Sequence, residues 1–505
     1  MKTIRLTGGA LRLEDVVAAA RRQVRAALAP SARRAMAASR RVVDRAIRSG
    51  ATVYGVTTGF GKFADVTIPT GDIEQLQRNL IRSHAAGVGA PLGPGAVRAM
   101  MVLRANALAR GNSGIRVATV ETLLALLAAD ILPVIPCQGS VGASGDLAPL
   151  SHLALALMGE GSVTVRGRKQ PAASALSRAA IRPVVLGAKE GLALINGVQM
   201  SVAVGGLALA RALELCRVAD LVGAASVDAS RGSDAAFDPR IMAARPHPGA
   251  AAAAKNLRAL LKGSAIRESH RGCGRVQDNY ALRCMPQVHG AARDAFGHAR
   301  AVLECEMNSS TDNPLVFAAR GDILSGGNFH GAPVGLVLDY AAVAATDLAS
   351  ISERRIEKLV NPALSELPAF LVREGGLHSG FMMAHVTAAA LVSECKVLAH
   401  PASVDSIPTS AAKEDHVSMS PIAARKFAAI VENLERVLAI EALAAFQAME
   451  FLRPLSSSAP IERVRGEFRR VVRPWNRDRE MHLDLEKARL FVGGGAMARA
   501  IAGLA

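Results

Sequence analysis

Hydrophobic and polar positions along this chain fall into three patterns, each predicting a different element. Phe427, Val431, Leu434 and Leu438 recur at helical spacing between Pro421 and Pro454, predicting one long helix there. Alanine- and leucine-rich runs predict helices over about 94–110, stopped at Gly111-Asn112, and over about 117–129. An arginine- and alanine-rich stretch predicts another over about 13–49. From Val198 onward the pattern is mostly long helices. Strand signals are few. A short one covers Ile4 to Leu6, and two hairpins are predicted, one flanking Arg166-Gly167 and one from Leu315 to Ser325 around Arg320-Gly321. Glycines punctuate the chain over 55–61 and again over 139–145, where a tight irregular turn precedes a helix.

The predicted fold is therefore mainly α, an elongated helical bundle with a smaller mixed N-terminal part. Residues 1–200 form that N-terminal region and residues 201–505 the central and C-terminal bundle, one catalytic unit without an autonomous linker. Long apolar helices of this kind need large interfaces, so a homo-oligomer is expected. No transmembrane span is expected: the best apolar run, Val117 to Leu132, carries Glu121 and Asp130 and stops at Pro133.

Composition narrows the picture. Of 505 residues, 50% are hydrophobic but only 3% aromatic, so the core is aliphatic. Six scattered cysteines (137, 216, 273, 284, 305, 395) without a CxxC pair argue against a disulfide framework or structural zinc, and no metal site is expected. A cytoplasmic location is expected from this usage and from a first stretch that lacks an apolar signal pattern. The net charge of +17 raises nucleic acid as a partner, with arginines crowded over 21–48 and 453–479. Few aromatics are available for base stacking and no nucleic-acid motif accompanies the charge, so solvated helix faces are the preferred reading, with neither nucleic acid nor membrane as partner.

The stretch Gly139-Ser-Val-Gly-Ala-Ser-Gly-Asp-Leu-Ala-Pro-Leu150 carries the most chemical information. Glycines beside Ala143-Ser144 let the backbone fold back where a Cβ would collide. A compressed turn would bring the Gly145 nitrogen to the Ala143 carbonyl carbon. Loss of two waters, one on ring closure and one from Ser144, would leave an electrophilic exocyclic methylidene. Taken alone, the same glycines suit a phosphate cradle, although no G-x-x-x-x-G-K pattern accompanies them.

This segment resembles the cofactor-forming stretch of the aromatic amino acid ammonia-lyase family, whose Ala-Ser-Gly becomes 4-methylidene-imidazol-5-one (MIO). Further motifs match in order: Tyr54 to Gly61, Ser83 to Gly89, Asn196-Gly197, Gln277 to Arg283, Asn308 to Pro314, Ser325 to His330 and Glu414-Asp-His416. The resemblance implies that Ala143, Ser144 and Gly145 supply the MIO group, with no external cofactor. It implies Tyr54 as base, Tyr280 as a second site tyrosine, and Arg283 as partner of the substrate carboxylate. Asn196 and Gln277 hydrogen-bond within the site. Phe329 reads equally as pocket lining or hairpin core, and Asn313 as a site residue or the turn former before Pro314. The Ser83-His84 pair, Glu414 and Met382 resemble the histidine-acting branch, implying elimination of ammonia from L-histidine to give trans-urocanate. Three positions depart from that branch: Ala412-Lys413 replaces Asn-Gln, Asn279 replaces Pro, and Thr57 replaces Asn. A histidine derivative, another aromatic amino acid, or an aminomutase outcome stays open at this stage. So does the remote alternative of a non-catalytic basic helical protein. Family analogy implies a homotetramer whose subunits share active sites.

Overall fold

The structure, a computed structural model, describes residues 1–505. It is 59% helical, with 21 helices, which makes the fold mainly α. The chain divides into two compact units. The first gathers residues 1–210, 299–339 and 401–425; the second gathers 211–298, 340–400 and 426–505.

In the first unit the predicted long N-terminal helix is interrupted. Helices Leu13–Ala20 and Pro30–Arg48 are separated by a strand, Val24–Leu28, which pairs in parallel with Lys2–Leu6. Two local features explain the break. Arg22 takes a left-handed φ of 58°, and Pro30 starts the second helix at a position where its missing N–H costs nothing. Periodicity could not reveal the strand, because its stabilising partner lies some twenty residues earlier.

The hairpins form as predicted. Ser162–Val165 pairs with Arg168–Pro171, joined by Leu132–Pro133 in a three-stranded sheet, and Leu315–Phe317 pairs with Asp322–Leu324. Helix Pro94–Ala109 is buried on nearly every side from Val97 onward, as an element with no consistent polar face must be. Helix Leu147–Leu157 follows the 139–145 turn and packs against helices Ile73–His84 and Glu190–Ile195. That packing positions the site.

The second unit is built of helices. Helix Ser420–Glu450 spans the predicted segment, and Phe427, Val431, Leu434 and Leu438 are all buried. Phe446, Phe468 and Phe491 form a continuous aromatic contact, with ring centroids 5.1 and 5.2 Å apart. The most membrane-like helix is Ala332–Val360 rather than the 117–132 run; it is long and apolar enough to cross a bilayer, and 61% of its apolar window is buried.

Candidate functional site

The turn at 139–145 is held in a shape that only glycine permits at its key points. Gly142 and Gly145 have φ of +73° and +78°. A Cβ on Gly145 would lie 2.3 Å from the Gly197 carbonyl oxygen, so the two backbones touch because neither residue carries a side chain. Gly197 N donates to Ser144 O at 3.2 Å, and Asp146 N donates to Gly197 O at 2.7 Å. Ser140 Oγ closes the turn by donating to Gly145 O and accepting from Gly142 N. Ala143 is buried beside Val417 and Met419.

Behind the turn, Asp146 is buried and accepts from Ser201 N and Ser201 Oγ at 2.8 and 2.9 Å. Burial pushes its carboxyl up to about 6, against the pull of those hydrogen bonds. Burial likewise pushes the Glu306 carboxyl up to about 7, aided by the charge of Asp146.

Ser144 opens onto a cavity of about 600 Å³ that Tyr54, His84, Asn196 and Glu414 also line. These residues come from four distant parts of the chain. Tyr54 immediately precedes the glycine-rich 55–61 region, and its hydroxyl oxygen accepts from Gly61 N at 3.3 Å. His84 ends helix Ile73–His84. Ser83 Oγ donates to Leu80 O and lies 3.0 Å from His84 Nδ1, so it accepts the Nδ1 proton and leaves Nε2 with a free lone pair. Burial lowers the His84 pKa below 6.5, opposed by the Leu80 carbonyl and the Glu414 charge. The ring is therefore neutral at pH 7.

Glu414 is held in a cradle. Its Oε2 accepts from Thr409 Oγ1 and Ser410 Oγ, each at 2.7 Å, while Oε1 accepts from Ser144 Oγ at 3.3 Å. The cradle depends on three successive left-handed residues, Ser410, Ala411 and Ala412, with φ of 50°, 53° and 61°. Sequence reasoning missed Thr409 and Ser410, because nothing local marks a run of left-handed alanines.

Asn196 caps the end of helix Glu190–Ile195. Both of its amide hydrogens are committed, to Asp312 Oδ1 at 3.1 Å and Asn313 O at 2.9 Å. Its main-chain carbonyl accepts from the fully buried Arg104, which also donates to Gln199 Oε1 at 2.7 Å. Asp312 is paired with Lys189 at 2.8 Å, both side chains fully buried. Burial works against ionisation of Asp312, yet Lys189 and Arg104 hold its pKa below the ordinary value. Arg104, Lys189 and Asp312 were not anticipated. Four buried polar residues with these partners form a rigid mount for Asn196.

Asn313 Oδ1 accepts from Gly326 N at 2.9 Å, tying together segments 13 residues apart, and Phe329 is half-buried; neither lines the cavity. Gln277, Tyr280, Arg283 and Met382 belong to the second unit and do not line it either. There the Arg283 guanidinium lies 4.6 Å over the ring of Tyr280, which is 70% exposed. Arg283 Nε is buried with no hydrogen-bond partner. Met382 opens helix Met382–Leu398 and is partly exposed.

None of the three departures from the branch pattern lines the cavity. Thr57 instead staples its own loop, accepting from Val53 N and donating to Ala51 O. Asn279 precedes the short helix Tyr280–Arg283, and Ala412-Lys413 belongs to the Glu414 cradle turn. No group of three or more His, Cys, Asp or Glu is arranged to hold a metal ion.

Comparison with known proteins bears on the whole chain. The family model described as aromatic amino acid lyase matches residues 11–470. A histidine ammonia-lyase from Anaeromyxobacter sp. (strain K) is 54% identical, covering 98% of this chain and 100% of its own length. The crystal structure of histidine ammonia-lyase from Trypanosoma cruzi superposes with a TM-score of 0.92 at 44% identity, covering 99% of this chain and 95% of that one. The tyrosine aminomutase from Streptomyces globisporus superposes with a TM-score of 0.94 at 37% identity, covering 99% of each chain.

Proposed function

The chain belongs to the aromatic amino acid lyase family, and we propose that it eliminates ammonia from L-histidine to give trans-urocanate. The observation that carries the reading is the polar pair His84 and Glu414 on the wall of the cavity onto which Ser144 opens. His84 Nε2 and the Glu414 carboxylate are both hydrogen-bond acceptors in a half-buried setting. An imidazole N–H satisfies such an acceptor and a phenyl ring cannot, so apolar analogues would leave it unpaired and be rejected. The identity of 54% to a histidine ammonia-lyase, against 37% to a tyrosine aminomutase, supports the same substrate and outcome.

The 143–145 turn fits an MIO group formed from the chain itself. Gly145 is the nucleophilic nitrogen such a closure needs, and its contact with Gly197 braces the turn on one side while buried Ala143 anchors the other. Once formed, the group supplies an electrophilic methylidene carbon that no ordinary side chain offers. The chain's own residues do the rest. Tyr54 takes the β-proton as base, its hydroxyl oriented by Gly61 N. Asn196, its amide hydrogens committed, offers only its side-chain Oδ1 as an acceptor.

Arg283 makes the bidentate pair with the substrate carboxylate, and Gln277 and Tyr280 complete the site. We assign these three, with Met382, to the cavity of a neighbouring copy within a homotetramer. The exposed stacked pair Tyr280–Arg283 and the exposed apolar side chains of Val343, Met383, Val386 and Val397 support that assembly.

Intact mass and a urocanate assay test the proposal together. The mature chain weighs less than its sequence by two waters and produces urocanate from histidine. Ser144→Ala removes both properties. A full-mass chain that still turns over histidine would sink the MIO reading. His84→Leu shifts preference from histidine toward phenylalanine, and an unchanged ratio would sink the specificity argument. Tyr54→Phe and Arg283→Ala chains, each inactive alone, regain activity when co-assembled if sites are shared between copies.

A further inference from the structure

A second hollow, of about 910 Å³, opens in the first unit and shares no lining residue with the cavity at Ser144. Its walls are the turn Ala129 to Ile131, the hairpin 162–171, helix Ala172–Arg178 and the turn residue Arg22. Its charge is one-sided. Arg22, Arg166, Arg168 and Arg178 line it against a single carboxylate, Asp130. That carboxylate is already committed: Arg98 grips it through two bonds of 2.8 and 3.2 Å, and Arg22 lies 3.0 Å away. Arg178 reaches only the Gln170 amide oxygen, and Arg166 and Arg168 have no partner within the chain.

The backbone fixes where these residues stand. Arg22, Asp130 and Arg166, three of the lining residues, all adopt left-handed φ, at 58°, 54° and 49°. Arg22 and Asp130 close the ends of helices Leu13–Ala20 and Val117–Ala128, and Arg166 opens the two-residue hairpin turn Arg166-Gly167, so ordinary turn geometry fixes all three at the rim of the hollow. Arg166, Arg168 and Arg178 therefore face a space whose single carboxylate is already paired with Arg98 and Arg22. Ile131, Val165, Ala175 and Ala179 give the same hollow an apolar wall.

We propose that this hollow binds a compact polyphosphate, a di- or triphosphate group, either free or carried by a nucleoside. Guanidinium forks match phosphate oxygens in pairs, and several converging arginines require an anion of multiple charge. A single carboxylate would leave most of them unanswered. The volume lies in the range of small-molecule sites. The basic field of the whole chain, +17, raises the local concentration of such an anion.

Isothermal titration of the full-length assembled protein with inorganic pyrophosphate and, separately, with ATP tests this. Saturable binding of at least one is expected, weakening at least tenfold in Arg166→Glu/Arg168→Glu and falling as salt rises. Tighter binding of ATP identifies the nucleoside-borne source, and equal affinity the free polyphosphate. The same charge change at exposed, unpaired positions, Arg463→Glu/Arg477→Glu, should leave affinity within twofold. Arg166→Gln/Arg168→Gln serves if the reversed pair misfolds, which circular dichroism reports. Three results overturn the proposal: no saturable heat with either anion, equal loss in the Arg463/Arg477 control, or single-stranded RNA displacing pyrophosphate at far lower concentration.

Discussion

Two buried polar assemblies, one in each unit, obey the same physics and end differently. In the second unit Arg355 grips both oxygens of Glu441 at 2.5 and 2.9 Å, and Ser226 and Ser352 donate to the same carboxylate. Asp220 accepts from His289 and Asn256 at 2.8 and 2.7 Å and from Arg293. Arg355, Glu441, His289 and Asp220 are fully buried and answer one another. In the first unit, His84, Asn196 and Glu414 are just as firmly held from behind, yet each keeps an acceptor for the 600 Å³ cavity. A network whose carboxylate oxygens are all answered stabilises and specifies a core. One with an atom left over is prepared for a ligand.

The comparison breaks most visibly at Tyr54 and Glu441. Tyr54→Phe is expected to lower kcat by about 10²–10⁴-fold with little change in thermal stability, measured by steady-state assay and a melting curve. Glu441→Ala should do the reverse. Removing one partner of the buried pair costs about 3–5 kcal/mol, read as a large fall in the unfolding midpoint. If Glu441→Ala melts like the parent, the closed-network argument fails.

A smaller effect is expected behind the site. Thr409→Val with Ser410→Ala removes both donors to Glu414 Oε2, at about 0.5–1.5 kcal/mol for each bond lost. The loss should appear in kcat/KM for histidine and much less for phenylalanine. Equal losses for both amino acids would show that the cradle does not serve specificity.

Buried groups elsewhere in the two units should respond oppositely to pH. The raised carboxyls of Asp146, about 6, and Glu306, about 7, contribute stability that is present in acid and lost as pH rises through those values. Burial lowers the pKa of His289, although Asp220 pulls it upward. Its contribution is therefore present above 6.5 and lost as pH falls below it. Hydrogen exchange at pH 5 and pH 8 should show the 140–157 peptides better protected in acid and the 285–293 peptides better protected in base. Parallel trends would contradict the assignment.

The smallest effect is expected at Ala412, where φ is +61°. Asparagine tolerates that conformation better, so Ala412→Asn should stabilise the turn by under about 1 kcal/mol. A lowered melting temperature would show that the turn relies on alanine for another reason.

Much of this molecule was readable before any coordinates. Glycine at 142 and 145, beside Ala143-Ser144, announces a backbone contact that a side chain would forbid, and the structure supplies that contact at Gly197. Phe427 to Leu438 announce a buried helical face, and Arg166-Gly167 a hairpin. These features are local: dihedral freedom, side-chain period and turn chemistry act within a few residues. Only tertiary structure brings Glu414 to Ser144 across 270 positions, splits the N-terminal helix with a strand, and mounts Asn196 on Arg104, Lys189 and Asp312. It alone gathers four arginines around one hollow. Such arrangements depend on which surfaces pack together, and the free energy of that packing belongs to pairs of distant segments rather than to either segment alone.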